Sequence, residues 1–346
     1  MAKDKTPFQY GDVEKKLKEN GLGRLYLLWG EEDYLKQQYI DTIMKMAFPN
    51  GDREFNFHLI DSGKELDIDA IASAVDAMPF MSDHSVVMVR DADLNSVKED
   101  EYERLNSVLS DLPDYCTLIF TQQPDYTPDK RLKTIRSITK NGEEIQFYAS
   151  GHDKLVKWIT RHFKAHDKTI SGKTAEYLIF NCGDLMNRLL PEIEKVAAYS
   201  SKEEITTQDI DAVTTRIPEA SVFLITDYIA ERKNNEAAAV LSDLLSSKEN
   251  DPIMLLALIG NQMRRLYGAK LAAEHRLGRT YLEETCGAKG WLADRLTKSA
   301  ARFRLDALRH YVSLCAEADY KMKSSSIDDR EILMELLMHI CSGEIV

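Results

Sequence analysis

The chain has 346 residues, 44% hydrophobic and 29% charged, with a formal net charge of −12. Sixteen glycines and nine prolines are too few for collagen or wholesale disorder, no apolar run approaches the roughly 18 residues of a membrane span, and the polar start MAKDKTPFQYGDVEKK lacks the apolar stretch of a signal peptide. Two or three domains in the cytoplasm, with no membrane partner, are expected.

Charge is uneven along the chain. Residues 1–149 carry a net −10, residues 150–218 balance, and the stretch 260–310 carries +6. The cysteines (Cys116, Cys182, Cys286, Cys315, Cys341) are odd in number and far apart, without a CxxC pair, which argues against a disulfide framework or a cysteine-rich zinc site.

In chain order, residues 13–20 read as an amphipathic helix closed by Gly21, and 25–29 (LYLLW) as a buried strand ending at Gly30. Residues 33–48 have helical spacing. Phe55, Phe57 and Leu59 alternate as in a strand. A helix at 68–78 precedes a strand at 86–89, and a helix at 102–112 precedes a strand at 116–120. A helix at 132–138 and a short strand at 145–147 follow. Strands alternating with helices predict a parallel sheet of about five strands covered on both faces. Beyond residue 150 every periodic segment reads as helix: 153–166, 173–180, 185–199 and 207–213, then, after the break at Ile217-Pro218, 222–231, 236–246, 253–274, 281–285, 288–303, 304–322 and 328–341. No strand is expected there.

A phosphate-binding loop would stand where the first strand meets its helix. It needs G-x-x-x-x-G-K-[ST], so that backbone N–H groups cradle phosphate and a lysine meets its charge. The chain offers Gly30-Glu31-Glu32-Asp33-Tyr34-Leu35, with no second glycine, no Lys-Thr pair, and three carboxylates where a triphosphate would lie. Gly172-Lys173-Thr174 lacks the preceding glycine and strand and reads as a helix start capped by Ser171. His162 and His166 are four apart on a helix, but no third ligand accompanies them. No nucleophile, acid–base or metal constellation emerges.

The connection Ala77-Met78-Pro79-Phe80-Met81-Ser82 is unusual because such a turn is ordinarily polar. Pro79 stops the helix. Met78, Phe80 and Met81 either fold back beneath the sheet or stand outward as an anchor for a partner's pocket. The basic residues Arg264, Arg265, Lys270, Arg276 and Arg279 read either as solvated helix faces and subunit contacts or as a phosphate-binding surface.

Several segments in one order resemble the delta-subunit family of the bacterial DNA polymerase III clamp loader: RLYLLWGEEDYL at 24–35, MPFM at 78–81 followed by VVMVRDADL at 86–94, GDL at 183–185 leading to EIEKV at 192–196, and ADYKMKS at 318–324 before ELL at 335–337. The resemblance implies an α/β plus all-α architecture. An AAA+ type parallel-sheet domain (1–149) would carry the clamp-binding tip, a small helical lid (150–216) would follow, and a helical collar for oligomerisation (217–346) would end the chain. It implies no ATPase activity, cofactor or metal for this chain alone, within a polymerase holoenzyme. The loop at Gly30 is read as lacking the P-loop lysine, Arg90 stands where an active relative has a Mg²⁺-ligating carboxylate, and Met186 stands where the lid would carry a sensor arginine. The implied partners are the beta sliding clamp, bound through Met78, Phe80 and Met81; the gamma/tau ATPases and delta-prime in a hetero-pentamer; and primer–template DNA through the assembled complex. This chain has Phe-Met where Leu-Phe is commoner. An active AAA+ ATPase and an unrelated helical adaptor are the alternatives.

Overall fold

Five short segments become five parallel strands in the computed structural model, which describes residues 17, 19, 21–62, 66–288 and 290–343. The helix expected at 13–20 falls almost wholly outside the described residues. Strands β1 (Leu25–Trp29), β2 (Phe57–Asp61), β3 (Ser85–Arg90), β4 (Cys116–Thr121) and β5 (Glu143–Gln146) lie in the order β2-β3-β4-β1-β5. Every neighbouring pair is parallel, with Leu25 opposite Leu118 and Leu27 opposite Phe120. This is the order of an AAA+ type sheet. Parallel neighbours need crossovers, and these carry α1 (Asp33–Ala47), the single turn α2 (Arg53–Asn56), α3 (Ile68–Asp76), α4 (Glu99–Ser110) and α5 (Lys133–Asn141). The runs of β1 and β4 are apolar because both faces are covered, and every residue of the two strands is buried. Leu27, Val87, Leu118 and Phe120 from the strands meet Ile71, Leu105 and Ile135 from the helices in one core.

The expected helix at 102–112 runs Glu99–Ser110 and the strand at 145–147 runs Glu143–Gln146; two further shifts lie around the connection before β3. Phe55 lies in the helical turn α2 rather than in a strand, and β2 begins two residues later. Helix α3, capped by the Asp67 carboxylate accepting from the Ala70 N–H at 2.9 Å, ends at Asp76. Ala77 is already extended ahead of Met78-Pro79.

The chain divides into two compact units. One comprises residues through Ile159 together with Asp184–Pro191, and the other comprises Thr160–Gly183 and everything from Glu192 onward. The division falls inside α6 (His152–Ala165), and again inside α8 (Met186–Tyr199), which carries Pro191 in its interior.

Among the described residues the second unit is helical except for one feature the periodicity did not announce. The two-residue strands β6 (Thr169–Ile170) and β7 (Glu204–Ile205) pair in parallel. Two residues are too short to show a period of two. Around them stand α7 (Gly172–Cys182), whose Ser171 cap accepts from the Thr174 N–H at 3.1 Å, and α9 (Thr207–Val213). Helices α10 (Pro218–Ala230), α11 (Asn234–Ser246), α12 (Pro252–Glu274), α13 (Arg279–Cys286), α14 (Gly290–Ala300), α15 (Leu305–Ser324) and α16 (Asp329–Ser342) complete the unit.

Helix α12 is its axis. Leu255, Ile259, Met263, Leu266 and Ala269 recur at helical spacing and are all buried. Gly268 lets α13 come close, since a β-carbon there would lie 2.8 Å from the Cys286 sulfur. Arg295 of α14 binds Asp227 of α10 at 3.0 Å, and its guanidinium lies 4.8 Å from the ring centre of Phe180 and 5.3 Å from that of Trp291. The Ser299 hydroxyl donates to the same carboxylate at 2.8 Å. Among the described residues no helix is long and apolar enough to cross a membrane.

Candidate functional site

Two places on the sheet unit carry the residues that the sequence singled out. The first is the corner after β1. Gly30 has φ +115°, and a β-carbon there would stand 2.3 Å from the Phe147 carbonyl oxygen, so the turn admits only glycine. The three carboxylates do not converge on open space. Glu31 accepts from the Ala149 N–H at 3.3 Å, and Asp33 pairs with Lys36 at 2.6 Å. Glu32 is fully buried at the head of α1, and its Oε2 accepts from the Met186 N–H at 3.1 Å, at the head of α8. Burial pushes the Glu32 carboxyl up to about 7; the amides of Met186 and Tyr34 pull the other way, and Asp184 and Asp33 push it further up. The carboxyl sits between two helix N-termini, whose amides favour an anion, but burial outweighs them and disfavours the charge.

Lys36 corrects the reading of this loop. It stands six residues after Gly30, at the spacing of a P-loop lysine, with Leu35 in place of the second glycine. Its side chain is buried, and its ammonium donates to the Gln122 carbonyl at the end of β4 at 2.5 Å besides pairing with Asp33. The missing glycine hid it, because the motif is recognised by the pair. Arg90, the last residue of β3, pairs with Asp61 of β2 at 2.7 Å. Met186 is buried in the apolar interior.

The second place is the connection between α3 and β3. Met78, Phe80 and Met81 are 80%, 59% and 86% exposed, so the chain does not fold them back under the sheet. Met81 has φ +53°, a left-handed conformation that costs a residue with a side chain about 1 kcal/mol or more. Asn56, buried at the end of α2, holds the Phe80 backbone by two hydrogen bonds: the Phe80 N–H donates to Oδ1 at 2.7 Å and Nδ2 donates to the Phe80 carbonyl at 3.0 Å. Beyond the loop the His84 ring meets the Thr117 hydroxyl at 2.9 Å, and burial lowers its pKa.

Phe55 was missed as part of this surface. It is 68% exposed and packs edge-on against Phe80, ring centres 5.7 Å apart. Its alternation with Phe57 and Leu59 imitated a strand.

The basic residues belong to the helical unit. Arg264, Arg265 and Lys270 lie on α12, Arg276 just past its end and Arg279 at the head of α13. Arg279 pairs with Asp294 at 2.5 Å, and Arg264 donates to the Asn261 side chain at 2.5 Å. Arg265, Lys270 and Arg276 make no ion pair among the described residues. Four of the five cysteines are buried thiols, and all five are free. Among the described residues no group of three or more His, Cys, Asp or Glu is placed to hold a metal ion.

A parallel sheet in the order 2-3-4-1-5, with a buried carboxylate and a buried lysine at the corner after β1, defines an AAA+ type domain joined to a helical unit. Two family models match the chain: one for the DNA polymerase III delta subunit over residues 26–147 and one for the C-terminal domain of that subunit over residues 219–340. The chain belongs to the DNA polymerase III delta-subunit family. It is 26% identical over 334 residues to the DNA polymerase III subunit delta of Bacillus subtilis strain 168, covering 94% of this chain and 95% of that one. Among solved structures it is similar to the Bacillus subtilis DNA clamp loader delta protein YqeN (24% identity, TM-score 0.48, covering 96% and 99%). It is also similar to the Thermotoga maritima RuvB Holliday junction branch migration motor (16%, TM-score 0.41, covering 67% and 81%).

Proposed function

We propose that this chain docks on the beta sliding clamp through Met78, Phe80 and Met81, and that this docking favours the open ring for loading onto primed DNA. The observation that carries the reading is the exposure of these three large apolar side chains on a connection whose backbone is fixed from beneath. Seating a Phe or Met side chain in an apolar pocket stabilises a complex by about 1.5–3 kcal/mol. With Phe80 already partly covered, the pair supplies about 2–4 kcal/mol. A ligand shifts a conformational equilibrium only by its differential affinity, so the tip biases opening to the extent that its pocket fits better in the open ring.

In this reading the chain works without nucleotide of its own. A triphosphate at Gly30 would have to displace Glu32 from the Met186 amide and meet Glu31 and Asp33 besides. Gamma/tau ATPases and delta-prime would join it in a hetero-pentamer through the helical collar of 217–346, with residues 150–216 as the lid and 1–149 as the clamp-binding domain. ATP in the neighbours would then govern when the tip is accessible. Arg265, Lys270 and Arg276 favour a second contact, with the phosphates of primer–template DNA, alongside Arg264 and Arg279. The test of the docking site is the double substitution Phe80→Ala with Met81→Ala, which is expected to weaken clamp binding about a hundredfold while leaving the unfolding midpoint in place. Unchanged clamp affinity would reject the site.

A further inference from the structure

The tip is built from two segments, not one. We infer that Phe55 is a further docking side chain, seating beside Phe80 in the same apolar pocket of the clamp, and that Asn56 is the residue that positions the pair. This rests on the reading that the tip binds the clamp.

Three observations point the same way. Asn56 is 1% exposed, and both ends of its amide are bonded: Nδ2 donates to the carbonyls of Asp52 and Phe80 at 2.8 and 3.0 Å, and Oδ1 accepts from the Phe80 N–H at 2.7 Å. A buried side chain so employed fixes two things at once, the turn that presents Phe55 and the peptide that presents Phe80. The next residue, Met81, is held at φ +53°, a conformation that persists only where the surroundings enforce it. The Phe55 and Phe80 rings meet edge-on at an interplanar angle of 68° while both remain more than half exposed. Single exposed apolar residues are ordinary, but a contiguous, rigidly held aromatic pair flanked by two methionines is not.

The physical role of Asn56 is preorganisation. A loop already in its bound conformation loses less freedom on docking, and the apparent affinity falls in proportion to the fraction of molecules holding that conformation. Without the amide, Phe80 and Met81 sample other arrangements, and that fraction drops.

The experiment uses the full chain and the sliding clamp, with affinity measured by titration and amide exchange at Phe80 followed in the free chain. Asn56→Ala is expected to weaken clamp binding by about tenfold and to speed exchange of the Phe80 N–H far more than exchange in the strands of the sheet, with cooperative unfolding retained. The same substitution placed on Phe80→Ala with Met81→Ala should cost clearly less than it does in the wild-type chain, because only the turn that presents Phe55 is left to position. Asn56→Asp keeps the shape and the acceptor but turns a carboxylate oxygen toward two carbonyls, and it should weaken binding by at least as much. Phe55→Ala should weaken binding by about tenfold with Phe80 exchange barely altered, which separates contact from positioning. Affinities within twofold of wild type for Phe55→Ala and Asn56→Ala, in a chain that Phe80→Ala with Met81→Ala disables, would overturn this inference and leave the docking reading standing. If that double substitution also leaves affinity unchanged, both fall. An equal loss from Asn56→Ala in the two backgrounds would assign Asn56 to the fold rather than to the tip.

Discussion

Replacing Glu32 with glutamine separates the charge of the buried carboxyl from its hydrogen bond. The glutamine oxygen still accepts from the Met186 N–H, now at 3.1 Å from Oε2, while Oε1 has no hydrogen-bond partner among the described residues. In the folded chain burial pushes this carboxyl up to about 7 from an ordinary 4.5. Between those two pH values the folded chain keeps a proton that the unfolded chain has released, so stability is lost as pH rises through the window. Below 4.5 both states are protonated and no penalty applies; above 7 the full penalty remains. That distance corresponds to about 3 kcal/mol, and the group is fully buried, so solvent does not screen it away. Glu32→Gln is therefore expected to match wild type near pH 4.5 and to exceed it by about 3 kcal/mol at pH 8. Urea unfolding across this range, in a Trp291→Phe background so that Trp29 and Trp158 report the sheet unit, measures the difference directly. Other carboxylates titrate in both variants and cancel. A gap independent of pH, or a glutamine variant less stable than wild type at pH 8, would refute the assignment of a buried, costly charge at the corner after β1.

Other substitutions test other parts. Gly30→Ala places a β-carbon 2.3 Å from the Phe147 carbonyl at φ +115°, and it should destabilise the sheet unit by about 3 kcal/mol or more, read as a lower urea midpoint. Arg295→Ala removes the partner of the largely buried Asp227 together with its stacking on Phe180 and Trp291. The helical unit should lose about 2–4 kcal/mol, whereas a loss under about 0.5 kcal/mol would make the cluster incidental. If the α12 cations meet DNA, reversing the charge at Arg264 and Arg265 should flatten the salt dependence of primer–template binding by the assembled loader; an unchanged slope would assign them to subunit contacts or solvent.

What the sequence disclosed follows from the range of the forces involved. β1 and β4 are legible because strands covered on both faces must be continuously apolar, and LYLLW and CTLIF are. That the helix ends before Pro79 is legible because Pro79 stops a helix whatever surrounds it, but it ends two residues earlier than its period suggests, and the pattern left open whether Met78, Phe80 and Met81 turn outward. Phe55 was misplaced because Phe55, Phe57 and Leu59 satisfy a period of two by coincidence, while the turn that holds Phe55 depends on an amide contact to Phe80, 24 residues away. Glu32 gave no local sign of its burial, since its partner Met186 lies 154 positions along the chain. Lys36 was hidden because Leu35 broke the motif that would have drawn attention to it. The β6–β7 pair is two residues per strand, below the length at which alternation exists.

In the proposed reading, an AAA+ type body, with its own carboxylate buried at the corner after β1, presents a preset apolar tip to the replication ring. Titration of the purified chain against the sliding clamp, with nucleotide absent and then with ATP and Mg²⁺ added, tests it most directly. Saturable binding that needs no nucleotide and is unchanged by its addition is the predicted result. Binding that appears only with ATP, or no binding at either condition, would contradict it.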